Sequence, residues 1–531
     1  MSESNLNSYR PVIGLEVHVQ LKTKSKMFGP APNEVDVAEP NSNIDEVVTA
    51  QPGSLPVANK EAIRLAAKVG LALNCTVDEW SKFDRKHYFY PDLTKGYQIS
   101  QLDQPIAREG WIDVEITNPS VSAKAEPPSL GREGEFSPPA KEEYSAKAEG
   151  GGKITKRVLI QRAHLEEDAG KNIHPEGLPY SLVDYNRAGA PLLEIVTHPV
   201  IESAEEARKY LEELRNIVRY VGASDADMEK GSMRCEPSIS VRRPGQEGLP
   251  PYKVEVKNIN SFKFVEQAIT YEIERQIAML EKGETPKQVT MGWNEKLNKT
   301  VEQRSKEEAN DYRYFPDPDL PVLQFTKDYL DELRGEIPEL PQAKRKLFKV
   351  EYGLPDSDIE SLIVWKELNY FFEEVVSELD AWIETDESGD RNKLIKSAAN
   401  WCLQDFSALL NVGYKEPRDA RVTPENLAEL LKLIDQGTIS NSAAKAVFKV
   451  MFEKGGEPDS IIVDLGLEQV SDESAISLVI DGIIASNPKA VKDYKAGQQK
   501  SFGFLVGQAM KELKGKGNPG MVNNLLRKKL E

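Results

Sequence analysis

The chain has 531 residues, with 68 basic side chains against 86 acidic ones and a formal net charge of -18 at pH 7. At roughly 150 residues per domain this length implies three or four domains, and a composition 39% hydrophobic and 29% charged excludes a disordered or membrane-embedded chain. No apolar run approaches the ~18 residues of a bilayer span.

The N-terminal MSESNLNSYRP has neither the apolar stretch of a signal peptide nor the arginine-rich face of a transit peptide. Cys75, Cys235 and Cys402 lie too far apart for a disulfide framework or a metal knuckle, so the expected compartment is a reducing cytoplasm. The acidic balance opposes indiscriminate nucleic-acid binding but leaves local basic patches open to RNA. All five histidines (His18, His87, His164, His174 and His198) fall in the first 200 residues, which is where any imidazole chemistry belongs.

Residues 9 to about 118 alternate short β-like runs with Gly, Pro and Asn turns. VIGLEVHVQL, residues 12–21, has a strict period of two: Ile13, Leu15, Val17, Val19 and Leu21 face one way, Glu16, His18 and Gln20 the other. Glu-x-His sets a carboxylate and an imidazole about 7 Å apart on one strand face, a spacing that suits a divalent cation held between strands. RKHYFYPDLTKGYQISQ, residues 85–101, interleaves Arg85, Lys86 and Lys95 with Tyr88, Phe89, Tyr90 and Tyr97. That loop reads either as a packed aromatic turn or as a stacking surface for a nucleotide or RNA end.

Residues 119–152, rich in Pro, Ala, Ser, Glu and Gly, break every period and read as a mobile surface insertion. Strand patterns resume at 154–168, 191–196, 231–242 and 252–257. A helix opens at Ser203 with Glu206 three residues on, carries Tyr210, Leu211, Leu214, Ile217 and Val218 on one face, and closes at Gly222. A second helix carries Val265, Ala268, Ile269, Ile273, Ile277 and Leu280 and ends before Gly283.

RSKEEANDYRYFPDPDLP, residues 304–321, repeats the aromatic and basic style, and its Pro-Asp-Pro marks the exit from the strand-rich part. Helical patterns dominate from about 323, with a loop at 385–390 and a turn at 454–458 before a small final domain. The tail carries Lys511, Lys514, Lys516, Arg527, Lys528 and Lys529, either a solvated helix face or an RNA-phosphate contact.

Three further strands share the pattern of the first. Arg162, His164, Glu166 and Asp168 lie on one face with Glu167 on the other; Ser232, Arg234, Glu236, Ser238, Ser240 and Arg242 form a second polar row; Lys253, Glu255 and Lys257 form a third. In a common sheet these rows make a basin of carboxylates and cations. Oxygen ligands with one histidine suit Mg²⁺ or Mn²⁺ better than zinc, and the bases beside them attract phosphate, which points to a Mg-nucleotide or another phosphorylated ligand. No GxxxxGK[ST] loop, strand-linked GxGxxG or activated nucleophile stands out.

GLEVHVQL, FYPDLTKGYQISQ, HLEEDAGK, DYNRAGAPLLEIV, EVKNINSF and RSKEEANDYRYFPDPDLP resemble the signature segments of the GatB family, and the tail FLVGQAMKELKGKGNPGMVNNLL is similar to that family's YqeY-like end. The family comprises B subunits of the GatCAB tRNA-dependent amidotransferases. The resemblance implies an α+β architecture: an N-terminal β-sheet cradle with flanking helices, then an all-helical domain and a small helical YqeY-like tail that contacts tRNA. The expected spans are 1–322, 323–455 and 456–531.

The implied chemistry is a ligase that phosphorylates, with ATP, the side-chain carboxylate of misacylated Glu-tRNA(Gln) or Asp-tRNA(Asn). Ammonia from the amidase, the A component, then displaces the phosphate, within a heterotrimer completed by a small C component. Neither DNA nor membrane is an implied partner.

Carried over position by position, the resemblance makes Glu16, His18 and Glu255 catalytic. It makes these three, with one or both of Glu166 and Glu167, the Mg²⁺ ligands, period two favouring Glu166. Lys86, Tyr88 and Lys257 are the nucleotide or acceptor-end contacts. The cysteine-free segment after the first strand departs from members with a zinc knuckle, so no zinc is expected. Thr94 replaces a frequent proline, and Glu236-Pro237 replaces a segment that usually reads Asp-Ala, so Glu236 receives no role. A non-catalytic tRNA-binding scaffold and a freestanding ATP-dependent carboxylate–amine ligase remain as alternatives.

Overall fold

Nine strands organise the first part of the chain: β1 (Arg10–Gln20), β2 (Ala107–Thr117), β3 (Lys147–Glu149), β4 (Lys153–Glu167), β5 (Pro191–Thr197), β6 (Met233–Arg242), β7 (Val254–Lys257), β8 (Val289–Asn294) and β9 (Lys299–Ser305). They form one sheet in the order β9-β8-β7-β6-β1-β5-β4-β2, with β3 also paired to β4. The computed structural model describes residues 9–34, 39–117, 147–149, 152–175, 177–305, 311–386, 389–413, 415–467, 473–513 and 519–530. The 119–152 insertion therefore lies outside the described residues, apart from β3 and residue 152.

Strand β1 is central. Its odd-numbered side chains Ile13, Leu15, Val17 and Val19 are fully buried, and the even-numbered ones lie on the other face. The apolar face is covered by helices α1 (Lys60–Ala72), α2 (Ala204–Val221) and α3 (Phe262–Glu281), with α4 (Lys327–Gly335) packed on α1. Pairs in the sheet are antiparallel except β7 with β8, and α3 supplies the crossover a parallel pair needs. With helices on one face, the other is left to the polar rows.

Local chemistry fixes the helix ends. The Ser203 hydroxyl accepts from the Glu206 amide at 3.1 Å, while the Glu206 carboxylate accepts from the Glu202 amide, so only half of the expected reciprocal cap forms. Gly222 closes α2 in the left-handed region at φ 78°, where a side chain is strained.

The chain divides into two compact units, Met1–Pro341 and Gln342–Glu531. The first runs past residue 322 because Leu330 and Leu333 of α4 belong to the sheet's core. Leu323–Gln324 also pairs as a short strand with Trp80–Ser81.

The second unit is helical, with two apolar clusters. Helix Asn441–Lys454 ends at the Gly455-Gly456 turn. Ile461 and Ile462 beyond it still belong to the larger cluster, and the smaller one begins only at Ile476. Among the described residues no helix is long and apolar enough to cross a membrane.

Candidate active site

Strand register gathers the polar rows. His18 on β1 stands opposite Glu194 on β5 and Arg234 on β6, and Glu194 stands opposite His164 on β4. Glu16 faces Glu236 across β6, and one strand further Ser238 faces Glu255 on β7. Period two then puts Glu16, His18, His164, Glu166, Glu194, Glu236 and Glu255 on one face.

The contacts at the centre are close. His18 Nε2 lies 3.4 Å from Glu194 Oε2, 3.5 Å from Glu166 Oε1 and 3.8 Å from Glu16 Oε1. His164 Nε2 lies 3.3 Å from the same Glu194 oxygen and 4.0 Å from Glu166 Oε2. Two overlapping triads, Glu16–His18–Glu194 and His164–Glu166–Glu194, thus share one carboxylate and have the spacing a cation requires.

His164, Glu166 and Glu194 are buried, so the electrostatics are strong. Burial alone would lower the His18 pKa, but the Glu194 hydrogen bond and the charges of Glu166, Glu194 and Glu16 raise it to about 9. Burial raises the Glu166 and Glu16 carboxyls, and repulsion from Glu194 adds to it. Burial opposes ionisation of Glu194 too, yet His164 and His18 hold it well below the usual carboxylate range.

Two basic flanks border the cluster. On the β4 and β5 side, burial lowers the Lys86 pKa but Glu166, with Tyr314 and Glu194, more than reverses this, and its Nζ stands 5.0 Å over the Tyr312 ring. Tyr88 and Tyr314 meet Tyr312 edge-on, at 6.1 and 6.2 Å between centroids, which completes an aromatic wall. On the β6 and β7 side, Lys257 Nζ lies 2.5 Å from Glu236 and 3.7 Å from Glu255. Between the flanks, Arg234 reaches Asp168 at 2.9 Å, and Asp168 also takes Arg187 at 2.7 Å.

The expected residues divide on this geometry. Glu16, His18 and Glu166 meet at the centre, Glu255 lies on the same face two strands from β1, and Lys86, Tyr88 and Lys257 flank them. Glu167 points elsewhere. It shares the face of Leu165, pairs with Lys95 at 2.7 Å and accepts from the Ile99 amide at 3.0 Å. Lys95 is therefore occupied, and Arg85 is tied to Asp317 at 2.7 Å and Asp319 at 2.8 Å. Of the three bases in the 85–101 loop, Lys86 is the one turned to the cluster.

Comparison with known proteins gives the lineage. Residues 11–331 match the model of the GatB/GatE catalytic domain, and residues 385–530 match the GatB domain. The chain belongs to the GatB family. It is 44% identical over 528 residues to the B subunit of the aspartyl/glutamyl-tRNA(Asn/Gln) amidotransferase of Carboxydothermus hydrogenoformans, covering 99% of each chain. The Persephonella marina protein of the same name is 46% identical over 523 residues, 98% of this chain and all of the relative. That of Brevibacillus brevis is 44% identical over 525 residues, 99% of each.

For a GatB chain, sequence reasoning passed over Glu194, Tyr312 and Tyr314. Strand β5 is buried on nearly every residue, so its PLLEIVT run shows no alternation to single Glu194 out. The signal present was a lone carboxylate in an apolar strand, which is costly unless paired. Tyr312 and Tyr314 lie more than 200 positions from Lys86 in the chain and meet it only because Phe315-Pro316 pairs with Asp84-Arg85.

Proposed function

We propose that this chain is the component of a tRNA-dependent amidotransferase that activates a misacylated carboxylate with ATP and completes its amidation. The side-chain carboxylate of glutamate or aspartate esterified to tRNA takes the γ-phosphoryl group and ADP leaves. Ammonia from an amidase partner then attacks the acyl carbon and expels phosphate. Activation is needed because a bare carboxylate has no adequate leaving group. The A and C components of GatCAB are the implied partners, and Glu-tRNA(Gln) or Asp-tRNA(Asn) the implied substrates.

The observation that carries this reading is the pair of triads sharing Glu194 between two basic flanks. The donor set of carboxylate oxygens and imidazole nitrogens fits Mg²⁺. Glu16, His18, Glu166 and Glu194 would hold it, with Glu255 beside them. A bound Mg²⁺ supplies charge neutralisation for the phosphates.

The chain's own groups do the rest. Lys86, kept charged by Glu166 and Glu194, offsets the incoming substrate carboxylate. The Tyr88–Tyr312–Tyr314 wall offers stacking to the RNA end. Asp168 holds the Arg234 guanidinium, whose other N–H groups are donors for phosphate oxygens. Glu236 holds Lys257 on the far side.

The test is ADP release by the assembled heterotrimer with Mg-ATP and ammonium, in parallel with Glu-tRNA, Asp-tRNA and uncharged tRNA. ADP formed only with charged tRNA and lost in Glu255→Ala supports the reading and identifies the substrate. ADP that is independent of charging, or unaffected by Glu255→Ala, leaves the scaffold. Turnover on a free amino acid would instead mark a small-molecule ligase.

A further inference from the structure

Lys26 is a buried charge that nothing in the proposed chemistry uses. It lies in the loop after β1 and is 1% exposed, with its backbone carbonyl accepting from Asn59 Nδ2 at 3.0 Å. Its ammonium donates to two carbonyl oxygens, that of Ala188 at 2.6 Å and that of Tyr185 at 3.4 Å. It forms no ion pair among the described residues, and burial lowers its pKa to about 8 against the raising charges of Asp45, Asp184 and Glu167. A buried ammonium held only by neutral oxygens is costly. A methionine of similar length would fill the space without that cost, so the benefit lies with the two carbonyls.

Both belong to one turn, residues 185–190, which leads into β5. Ala188 N donates to Tyr185 O at 3.0 Å, Ala190 N to Arg187 O at 3.1 Å, and Met27 N to Gly189 O at 2.7 Å. Gly189 sits at φ 79°, and a Cβ there would come within 2.9 Å of Val48 Cγ2 and 3.3 Å of Lys26 Cδ. The lysine stem therefore closes directly on the turn. Asp168, just past β4, is gripped by the same turn: its amide donates to Ala190 O and its carbonyl accepts from Gly189 N, both at 2.8 Å.

Arg187 lies between the two clamped carbonyls. Its Nε donates to Asp168 Oδ2 at 2.7 Å, and Arg234 on β6, opposite His18, donates to the same oxygen at 2.9 Å. Two guanidiniums on one carboxylate leave one positive charge in excess. Both are partly exposed, at 28% and 36%, and their other N–H groups have no partner among the described residues. Two like charges stay this close only while Asp168 lies between them, and Asp168 is placed by the turn that Lys26 clamps.

We propose that Lys26 is a positioning residue for the reaction: its ammonium fixes the 185–190 turn, which sets Arg187 on Asp168 and thereby aims Arg234 at the polar face beside His18. The proposal rests on reading Arg234 as a donor to phosphate oxygens in the phosphoryl transfer. Lys26 is buried beneath the turn and touches no reactant. It acts through Arg187 and Asp168.

The test uses the assembled complex carrying Lys26→Met, Arg187→Met or both. In charge-dependent ADP release each single substitution should lower kcat/KM at least about tenfold, and the double variant should match Arg187→Met within about twofold. Mn²⁺ affinity should move by less than about twofold throughout, because the carboxylate–histidine cluster is left intact. Labelling by phenylglyoxal, mapped by peptide mass spectrometry, reads the arginine directly. It should run at least about threefold faster at Arg187 in Lys26→Met than in the wild type, with no change at Arg85, which Asp317 and Asp319 hold.

A double variant well below Arg187→Met, weakened Mn²⁺ binding, or equal acceleration at Arg85 would mean that Lys26 only supports the fold, and would overturn the proposal. So would an Arg187→Met complex of wild-type activity. If Lys26→Met fails to fold, Gly189→Ala takes its place, since the added Cβ presses on the lysine stem and the same pattern is expected. If the wild-type complex releases no charge-dependent ADP, the functional reading fails, and the labelling contrast alone decides whether Lys26 sets Arg187.

Discussion

Replacing Glu194 by glutamine removes the carboxylate that lies nearest to both imidazoles while keeping the side chain's shape. Its oxygen lies 3.4 Å from His18 Nε2, and unit charges at that distance attract by about 5 kcal/mol at an effective dielectric near 20. Part of this survives because the amide oxygen still accepts a hydrogen bond. The His18 pKa, about 9 in the metal-free wild type, should therefore fall by at least about 1.5 units.

The sign for stability follows. A histidine raised from 6.5 to about 9 contributes stability that is complete below pH 6.5 and lost as pH rises through 9. This amounts to about 3 kcal/mol at 1.36 kcal/mol per unit. Glu194→Gln also relieves Glu16 and Glu166, which Glu194 repels. The variant's deficit is accordingly largest near pH 6 and shrinks toward pH 9.

The assay is a pH titration of histidine labelled with ¹³C at Cε1, in EDTA, with His18 assigned by its loss in His18→Gln. Five histidines make the spectrum tractable. A His18 midpoint that stays within roughly half a unit of its wild-type value would refute the assignment of Glu194 as its dominant partner.

Further outcomes follow from the same geometry. Glu167→Gln breaks the buried pair with Lys95 and should cost about 3–5 kcal/mol, seen as a lower calorimetric transition with Mn²⁺ binding retained. Glu166→Gln should do the reverse, weakening Mn²⁺ binding with little thermal shift; indistinguishable variants would count against separating their roles. Lys86→Met should raise the KM for acylated tRNA by about tenfold or more and move that for ATP far less. Burial pushes the Cys75 thiol up to about 12, with the Glu109 charge adding to the shift, and raises Cys235 and Cys402 as well. Ellman's reagent should therefore find no reactive thiol until the protein unfolds, and prompt labelling of the native chain would contradict their burial.

Much of the site was legible because side-chain alternation is a local property. The period of two in residues 12–21 determines that Glu16 and His18 share a face whatever the strand pairs with, and the same holds for His164 with Glu166 and Glu255 with Lys257. Helix ends were legible for a like reason, since Ser203 and Gly222 act on their own turns. The bounds of the first unit were not. Helix α4 reads as the start of a helical region, and only contact with the core under α1 assigns it to the sheet.

By itself, then, the sequence determined which residues each strand offers to its polar face, and its signature segments determined the family. The tertiary structure decided which offers meet. Register across β4, β5, β1 and β6 brought Glu194 between two histidines, turned Glu167 to Lys95 and set the Tyr312 ring under Lys86. Alternation is fixed by the geometry of one extended chain, whereas strand order and register depend on how distant segments pack their apolar faces, and no local pattern encodes that.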